Sequence, residues 1–470
     1  MNATAVVPPQ VPTNPLSQLR LIPRIETYPK LLDFAQTHSG KVAIWSVFVA
    51  GLIYFLRSTR DWLPVAIALL LISVLPRYRW MLVALSTLVI TGLQSGSLTF
   101  VAAPAFGAVL FWCARRWPDS EFGRKPVRYL LLGCTLLLVV CSALPRGPAQ
   151  SRSTLLLAWN AAGLAVTYMW FVGYALMDRS SKPSKDLPLE VGSWWPFWGS
   201  TTTPFPKGAA YLRRIEAQNA EQFAVTQLKG VKLLAWAIAL ELLFRAWIFV
   251  FHGYFHIPWA AEALTRSVQR QPFSWYVCWA SQILAFFELI FRFAIFGHRC
   301  IACCRFAGFN ALRNTYRPLS SRTVNEFFNR FYFYFKELLV DFFFYPVFFR
   351  YFKRHPRLRL VTATFAAAAF GNMFFHFTRD YWIIQRVGLV NAVINFQVFA
   401  FYCVALATAL SISQLRKRKA PHTGLLRGRI LPSAWVLFVY CILGVFGATT
   451  REYPLTEHFR FLGHMFGLNW

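Results

Sequence analysis

The sequence consists mainly of blocks of consecutive apolar residues, most of which have, or nearly have, the length needed to cross a lipid bilayer. A helix needs about 20 apolar residues to cross a hydrocarbon core of about 30 Å, and it satisfies its own backbone hydrogen bonds there. The blocks cover residues 42–55, 63–75, 80–93, 100–114, 129–144, 155–177, 231–251, 275–296, 360–377, 383–412 and 434–448. They predict an all-α polytopic membrane protein with about ten to twelve transmembrane helices, in which block 63–75 fits a full span or a re-entrant segment equally well.

The composition is strongly basic but poor in charge. Lys and Arg outnumber Asp and Glu by 49 to 19, for a net charge of +30, yet only 14% of the residues are charged. Soluble domains carry about 25% charged residues. The excess basic residues lie mostly between apolar blocks, as expected of loops near anionic lipid headgroups, and no nucleic-acid-binding motif is present. Membrane lipids are therefore expected partners and nucleic acid is not, while the basic clusters occur in too many successive loops to fix the orientation.

The chain divides into five segments. Residues 1–40 are rich in proline and lack the apolar core of a signal peptide, so the first span is expected to stay in the mature protein. Residues 41–177 hold N-terminal spans with almost no internal charge, and residues 178–230 form a hydrophilic or interfacial loop. Residues 231–450 carry nearly all of the intramembrane polar residues, and residues 451–470 form a tail. Chemistry is expected in residues 231–450, because polar groups inside a membrane are costly and usually functional.

Two pairs of opposite charges lie inside the later apolar blocks. Glu241 and Arg245 are four residues apart, and Glu288 and Arg292 repeat that spacing in the next block. Residues four apart share a helix face, so each pair is predicted to form an ion pair that faces the bundle interior. A path for protons or ions is the alternative interpretation.

A cysteine cluster ends the block that contains Glu288. The cluster comprises His298, Cys300, Cys303 and Cys304. A zinc site would need a second ligand pair at suitable spacing, which the sequence lacks, so no metal is predicted. Lipidation of the thiols and simple packing both stay open.

Two polar stretches near the C-terminal side of the chain are the strongest candidates for chemistry. Residues 325–350 mix amides and charges with Phe and Tyr, which predicts helices buried against the bundle or lying in the interface. In the next block, Asn372 precedes His376 by four residues, so the two side chains share a helix face and the amide can orient the imidazole. An imidazole held in this way can act as a general base.

These stretches resemble the signature of a known family. Residues 308–346 run from Gly308 through an aromatic stretch that begins at Phe327 to Pro346, and His376 stands 30 residues later in an apolar helix. This arrangement is similar to the signature of the membrane-bound O-acyltransferase (MBOAT) family. The spacing from Phe327 to Pro346 matches the bacterial branch that includes alginate O-acetylation and teichoic-acid D-alanylation proteins.

The resemblance implies a fold and a reaction. The fold would be a helical bundle around a central tunnel, with residues 231–450 as its catalytic core. The reaction would be transfer of an acyl group, acetyl by analogy, from a thioester to a hydroxyl, with His376 as general base. Asn329, Tyr332 and Asn372 are the candidate donors to the oxyanion. The residues implied to bind substrate are Arg317, Arg322, Arg330 and Asp341.

The resemblance also implies the surroundings of the reaction. No cofactor is expected to bind tightly, and the acyl donor would be acyl-CoA or an acyl carrier protein. The location would be the bacterial cytoplasmic membrane, and the acceptor a polysaccharide, a lipid or another hydroxyl compound. A periplasmic or extracellular partner protein would complete the transfer.

Several residues depart from the family pattern. Phe328 and Phe331 stand where the family has Trp, Tyr332 stands where it often has His, Val340 replaces an Arg, and Phe377 replaces a Gly. Two alternatives to an enzyme therefore stay open. One is a noncatalytic scaffold with the same fold, and the other is a proton-coupled transporter that uses the buried ionic residues and the histidine.

Overall fold

The computed structural model describes residues 22–95, 99–143, 149–181, 189, 192–193, 196–199, 207–416, 424–447 and 452–468. Within these residues the regular structure is helical, without β-strands, and an isolated antiparallel bridge joins Glu216 to Phe309. Parts of the predicted segments lie outside the described residues. They are residues 1–21 of the proline-rich segment, 96–98 and 144–148 of the N-terminal spans, 182–188, 190–191, 194–195 and 200–206 of the loop, 417–423 and 448–450 of segment 231–450, and 451 and 469–470 of the tail.

Eight helices in the described residues are long and apolar enough to cross a membrane. They are His38–Phe55, Pro126–Ala143, Leu156–Asp178, Ala220–Tyr254, Trp275–Phe306, Pro356–Arg379, Gln397–Leu415 and Leu426–Gly444. A bent pair, Thr59–Val74 with Pro76–Ile90, turns by 115° and raises the number to nine if it forms one span. The prediction of an all-α polytopic membrane protein is confirmed, with eight or nine spans in this part of the chain.

Three apolar blocks explain why this number is below the ten to twelve spans predicted. Blocks 63–75 and 80–93 belong to the bent pair and not to two straight spans, and block 100–114, within Thr99–Arg116, is not among the eight. Block 383–412 still contributes one span but is divided among three helices, with the first break at Gly388, which has a φ of 83°. Only Gln397–Leu415 in that block has the length and hydropathy of a span. Hydropathy alone does not reveal a left-handed glycine.

The N-terminal part of the described chain contains eight helices. They are α1 Pro29–Gln36, α2 His38–Phe55, α3 Thr59–Val74, α4 Arg79–Ser95, α5 Thr99–Arg116, α6 Glu121–Arg124, α7 Pro126–Ala143 and α8 Ala149–Ser181. α7 and α8 are antiparallel, since the thiols of Cys134 and Cys141 face the carbonyls of Ala165 and Ala158 at 3.8 Å and 3.7 Å. These helices pack mainly through apolar side chains.

The C-terminal part contains fourteen α-helices and four π-helical segments in the described residues. The α-helices are α9 Ala209–Ile215, α10 Ala220–Ile248, α11 Ala260–Val268, α12 Trp275–Phe306, α13 Val324–Phe331, α14 Phe333–Leu339, α15 Tyr345–Arg350, α16 Pro356–Phe365, α17 Asn372–Arg379, α18 Tyr381–Val387, α19 Leu389–Asn395, α20 Gln397–Leu415, α21 Leu431–Gly444 and α22 Leu455–Met465. The π-helical segments are Phe249–Tyr254, Val340–Phe344, Ala366–Gly371 and Leu426–Ile430. Such segments occur frequently at functional sites.

Helix α22 marks one end of the C-terminal bundle. The indole of Trp279, near the start of α12, donates to the carbonyl of Met465 in α22 at 2.6 Å. The ring of Phe401, near the start of α20, lies 5.0 Å from that of Phe459 in α22. Because α12 and α20 both start beside α22, their C-terminal ends point in the same direction, away from it.

The other end of this bundle collects basic residues. The chain beyond the middle of α12 carries the basic stretch 299–322, and α20 ends at the basic stretch that starts with Arg416. Thr364 of α16 donates to Gln414 at the end of α20 at 2.8 Å, which places the preceding basic stretch 350–359 at the same end. We call it the basic end.

Candidate functional site

His376 and Asn372 lie on α17, which continues α16 through the π-helical segment Ala366–Gly371 as one span. A second π-helical segment, Val340–Phe344, packs against Ala366–Gly371. The approach is close at Gly371, where a Cβ atom would lie 2.5 Å from Cδ2 of Phe343. Glycine at this position lets the two π-helical segments meet directly before the turn that carries Asn372 and His376.

The imidazole of His376 lies among aromatic rings. Its centroid is 4.4 Å from the ring of Phe399 in α20, 5.4 Å from that of Phe375 and 5.8 Å from that of Phe335 in α14. Phe399 belongs to the start of α20, so His376 lies in the half of its span that is remote from the basic end. Three helices therefore fix the position of this imidazole inside the bundle.

Asn372 lies one helical turn before His376, as predicted from the spacing. Its side chain is almost fully buried, with 2% of the residue exposed. The Oδ1 atom is buried and has no hydrogen-bond partner among the described residues. A buried polar atom left without a partner costs about 1–3 kcal/mol, so this amide is a candidate to bind a ligand.

Tyr332 shares an aromatic neighbour with His376. Its buried ring lies 4.6 Å from Phe293 and 5.3 Å from Phe335, and Phe335 in turn contacts His376. The structure thus brings Asn372, Tyr332 and His376 into one region. Asn329 instead lies exposed on the preceding helix, α13.

Of the three arginines predicted to bind substrate, Arg317 and Arg322 lie on the segment that leads to α13, and Arg330 lies on α13 itself. Arg317 and Arg322 are exposed, and Arg317 has a left-handed backbone with a φ of 48°. Arg330 is different, because its guanidinium is 2.6 Å from a carboxylate oxygen of Glu326 and donates to Ser320 Oγ at 2.6 Å. Arg330 is therefore neutralised locally, and Arg317 and Arg322 are the two that face outward.

Asp341 belongs to a separate ionic cluster. Lys207 Nζ lies 2.7 Å from Asp341 Oδ2 and 2.6 Å from Glu337 Oε2, and the hydroxyl of Tyr174 donates to Asp341 at 3.1 Å. Burial raises the pKa of Asp341, against the opposing effect of Lys207. The contacts of Asp341 give it a structural role that joins Lys207 and α8 to the π-helical segment. Sequence reasoning missed Lys207, and nothing in its local pattern marks it.

A basic cluster that sequence reasoning did not single out lies at the basic end. The buried guanidinium of Arg305 donates to the carbonyl of Ala311 at 2.9 Å and 2.7 Å. Arg313 is half-buried, and burial lowers its pKa, an effect to which nearby Arg317 adds. Like charges held together in this way favour an anionic ligand. The clue in the sequence was the density of arginine between residues 299 and 322.

Neither predicted ion pair matches the expectation in full. Arg245 Nε lies 2.9 Å from Glu241 Oε1, so this pair forms, but the Arg245 side chain is 53% exposed and the pair lies at the surface of the bundle and not in its interior. Arg292 lies 3.9 Å from Glu288, whose nearer contact is His252 Nε2 at 2.7 Å. The sequence did not indicate His252, because it lies 36 residues before Glu288 on another element.

The cysteine cluster is packed inside the protein. Cys303 and Cys304 are buried with 7% and 0% of the residue exposed, and Cys300 is half-buried. Buried thiols are poorly accessible to a lipidating enzyme, so the packing interpretation is favoured. In the part of the chain that the structure describes, no group of three or more His, Cys, Asp or Glu side chains could hold a metal ion.

Comparison with known proteins does not add a relative. No protein-family model matches the sequence, and a search of curated proteins finds no significant match. The structure defines the class of protein as a multi-pass helical membrane protein.

Proposed function

We propose that the protein is a membrane-bound O-acyltransferase that moves an acyl group, acetyl by analogy, from a thioester to a hydroxyl. The observation that carries the proposal is the buried amide of Asn372, whose Oδ1 atom has no hydrogen-bond partner among the described residues, one helical turn from His376 inside an apolar span. Polar groups in such a place are functional candidates by default. The resemblance of residues 308–346 and His376 to the MBOAT signature supports this reaction class over other uses of a buried histidine.

His376 would act as the general base. Its imidazole takes the proton of the acceptor hydroxyl while that oxygen attacks the thioester carbonyl, giving a tetrahedral oxyanion. The carbon–sulfur bond then breaks, the ester is released, and the imidazolium returns the proton to the leaving thiolate. General base catalysis of this kind contributes a factor of about 10²–10⁴ to the rate.

Asn372 is the strongest of the three candidate partners of His376. Its carboxamide carries both an acceptor oxygen and a donor NH₂ group, so it can hold the hydroxyl of the acceptor and then stabilise the oxyanion. Tyr332 belongs to the same aromatic cluster, since its ring and that of His376 both lie beside Phe335. Asn329, which is exposed on α13, ranks last.

The basic end would receive the acyl donor. Cytoplasmic loops of membrane proteins carry an excess of Lys and Arg, so the basic end is assigned to the cytoplasm, where acyl-CoA and acyl carrier protein are found. Arg317 and Arg322, with Arg313 beside them, would bind the donor phosphates. Arg330 would position this segment through Glu326 and Ser320 and not bind the donor itself.

The acceptor would approach His376 from the opposite end, where α22 lies. A polysaccharide, a lipid or another hydroxyl compound outside a bacterial cytoplasmic membrane fits this arrangement. A periplasmic or extracellular protein would then complete the transfer. The central tunnel that the resemblance implies would connect the basic end with His376 and so link a cytoplasmic donor with an external acceptor.

The proposal is tested by complementation. A native host that lacks its own copy of the gene expresses wild type or His376→Ala at matched membrane levels, and ester-linked acyl groups are quantified in envelope polysaccharides, lipids and secreted products. We expect wild type to restore esters in one fraction and His376→Ala to restore at most about 1% of them. The fraction that regains esters identifies the acceptor.

A histidine at the other end of the same span serves as the control. His355 is exposed immediately before α16, at the opposite end of the same span, and His355→Ala should restore esters as wild type does. Equal restoration by His376→Ala would remove His376 as the base. No ester difference between the deletion strain and wild type would favour the scaffold or the transporter.

A further inference from the structure

Three cations come together where α10 and α12 meet at the basic end. The two helices pack closely there, because a Cβ atom at Gly230 would lie 3.0 Å from the carbonyl oxygen of Ala302 and 3.4 Å from Cβ of Arg305. Lys229 precedes Gly230 on α10, and its charge and that of Arg305 repel each other. Arg313, in the segment after α12, repels Arg305 in the same way. Since these side chains are buried or half-buried, water screens the repulsion only weakly.

The carboxylate that faces these cations is already paired. Glu26, in the short helical turn before α1, forms an ion pair with Lys232 of α10. Its charge also attracts Lys229, Arg305 and Arg313. In the part of the chain that the structure describes, none of these three has a carboxylate at ion-pair distance. One carboxylate among four cations leaves an excess of three positive charges, which favours a bound anion.

Glu26 also has an oxygen atom with unused hydrogen-bonding capacity. Oε1 is the atom that binds Lys232, whereas Oε2 is buried and has no hydrogen-bond partner among the described residues. The side chain of Glu26 is only 11% exposed. A carboxylate oxygen accepts hydrogen bonds and cannot donate them, so the group that complements Oε2 is a donor such as a hydroxyl. The arrangement therefore suits a ligand that carries both a negative charge and a hydroxyl group.

A buried amide donor lies next to Arg313 in the chain. Asn314 is 1% exposed, and its Oδ1 atom accepts from the backbone amide of Tyr334 at 3.2 Å. Its Nδ2 atom is buried without a hydrogen-bond partner in the described chain, and it lies 2.8 Å from the place that a Cβ atom would occupy at Gly297 of α12. His298, next to Gly297, is within electrostatic range of Arg313. This donor thus adds to the capacity of the same region to bind ligand oxygens.

We propose that Glu26 and the three unpaired cations around it form a binding site for a phosphate ester that carries a hydroxyl group. The site, which we call the phosphate site, comprises Glu26, Lys229, Arg305 and Arg313. The cations bind the phosphate oxygens, and Oε2 of Glu26 accepts from the hydroxyl. The headgroup of phosphatidylglycerol has this chemistry, and so has a soluble glycerol phosphate. Because Arg305 lies one residue before the end of α12, the phosphate site is at the depth of the lipid headgroups.

Native mass spectrometry of the full-length protein in detergent tests the proposal. The purified protein is titrated with phosphatidylglycerol, with phosphatidylethanol, which has the same charge but no hydroxyl group in its headgroup, and with zwitterionic phosphatidylcholine. We expect phosphatidylglycerol to bind about tenfold more tightly than phosphatidylethanol, as one hydrogen bond to a charged group provides, and phosphatidylcholine to bind most weakly.

Substitutions in the phosphate site provide the comparison. Lys229→Gln and Arg313→Gln should each lower the affinity for phosphatidylglycerol about tenfold, and two variants keep the test available if one does not fold. Glu26→Ala should remove the preference for phosphatidylglycerol over phosphatidylethanol, because the acceptor of the hydroxyl is lost. Lys353→Gln is the matched control, since it removes one charge at an exposed position of the same basic end and should bind phosphatidylglycerol as wild type does.

A soluble competitor distinguishes the two sources of the ligand, and both of its outcomes support a phosphate site. Glycerol phosphate that displaces phosphatidylglycerol at a concentration near that of the lipid assigns the site to a soluble ester. Displacement that needs at least about 100-fold more glycerol phosphate assigns the site to the lipid, because the acyl chains then contribute to binding.

Equal affinity of wild type for phosphatidylglycerol and phosphatidylcholine would overturn the proposal. Equal affinity for phosphatidylglycerol and phosphatidylethanol would overturn it as well, and so would equal losses in Lys229→Gln, Arg313→Gln and Lys353→Gln. No acyl donor is present in these titrations, so the phosphate site and the proposed function are tested separately.

Discussion

The N-terminal and C-terminal helices use their polar groups in different ways. Within the described N-terminal spans, polar side chains mostly bond to nearby carbonyls, as the indole of Trp45 does with Ala66 at 2.8 Å. The C-terminal spans instead place histidine, carboxylates and amides inside the bundle, at His252, Glu288 and Asn372. Three of the four described π-helical segments border these groups or Asp341.

The difference separates packing from chemistry. Polar groups inside a membrane are costly, so their concentration in one half indicates where the protein does its work. Substitutions in the N-terminal spans are expected to change stability alone. Substitutions of Asn372 and His376 themselves are expected to change activity with little effect on stability.

Asn372→Ala should have a large effect on activity and almost none on stability. Loss of an oxyanion donor lowers the rate by about 10²–10³-fold. Alanine also removes a buried amide whose oxygen has no partner among the described residues, so the unfolding temperature should be unchanged or raised. Ester formation in cells and thermal unfolding of the purified protein measure the two effects. Asn391→Ala, at an exposed position of α19, should match wild type in both.

Lys207→Met should have the converse effect, a loss of stability. Glu337 and Asp341 would lose their shared ammonium while remaining only 20% and 14% exposed, at a cost of about 2–3 kcal/mol. Unfolding in mixed micelles measures this loss. Lys353→Met, at an exposed position in the basic stretch after α15, is the control, and an equal loss in both would contradict the assigned role of Lys207.

The same cluster predicts a pH dependence of stability. Burial opposes ionisation of Glu337, but Lys207 and Lys336 prevail and lower its pKa, so its stabilising effect is lost as the pH falls through that lowered pKa. Burial likewise opposes the charge on Lys207, but Asp341 and Glu337 raise its pKa, so its effect is lost as the pH rises through the raised pKa. Lys207→Met should flatten the alkaline loss.

Gly371→Ala should destabilise the protein, whereas Gly133→Ala in α7 should not. The new methyl group at position 371 would meet Phe343 at 2.5 Å, and forced packing of this kind costs about 1–3 kcal/mol. Gly133 has open space around the same position, where alanine in a helix gains about 0.5–1 kcal/mol. Thermal unfolding of both variants compares the two regions directly, and equal shifts would show that the π-helical contact is not tight.

Arg317→Ala should weaken use of the acyl donor, and Arg330→Ala should do so less. Arg317 is exposed, whereas Arg330 is already paired with Glu326 and Ser320. Loss of one charged contact to a phosphate corresponds to about 1.4 kcal/mol, or a tenfold rise in KM with little change in kcat. Steady-state kinetics with varied donor measures this, and a larger KM effect at Arg330 would reverse the assignment.

Much of the fold followed from the sequence, because hydropathy and length report directly on transmembrane helices. The placement of Asn372 one helical turn before His376 also followed, since both residues lie on one helix and the spacing fixes their common face. Helix breaks such as the one at Gly388 could not be predicted, because an apolar block has the same hydropathy whether it forms one helix or three. The left-handed φ of that glycine is visible only in the structure.

Contacts between distant elements account for the rest of what the sequence did not reveal. Lys207 meets Asp341 across 134 residues, and His252 meets Glu288 across 36 residues. The spacing rule instead assigned Arg292 to Glu288, because it considers a single helix. Arg330 was predicted to bind substrate because its ion pair with Glu326, four residues earlier on the same helix, was not considered.

The most direct test of the central claim uses inverted membrane vesicles and a labelled donor. Vesicles from the deletion strain that contain wild type or His376→Gln receive radiolabelled acetyl-CoA, and label that mild alkali releases from the membrane fraction is counted as ester. The account predicts ester label with wild type and a fall of at least about 100-fold with His376→Gln, although both proteins are present at equal levels. Equal ester label with the two proteins would contradict the assignment of His376 as the base.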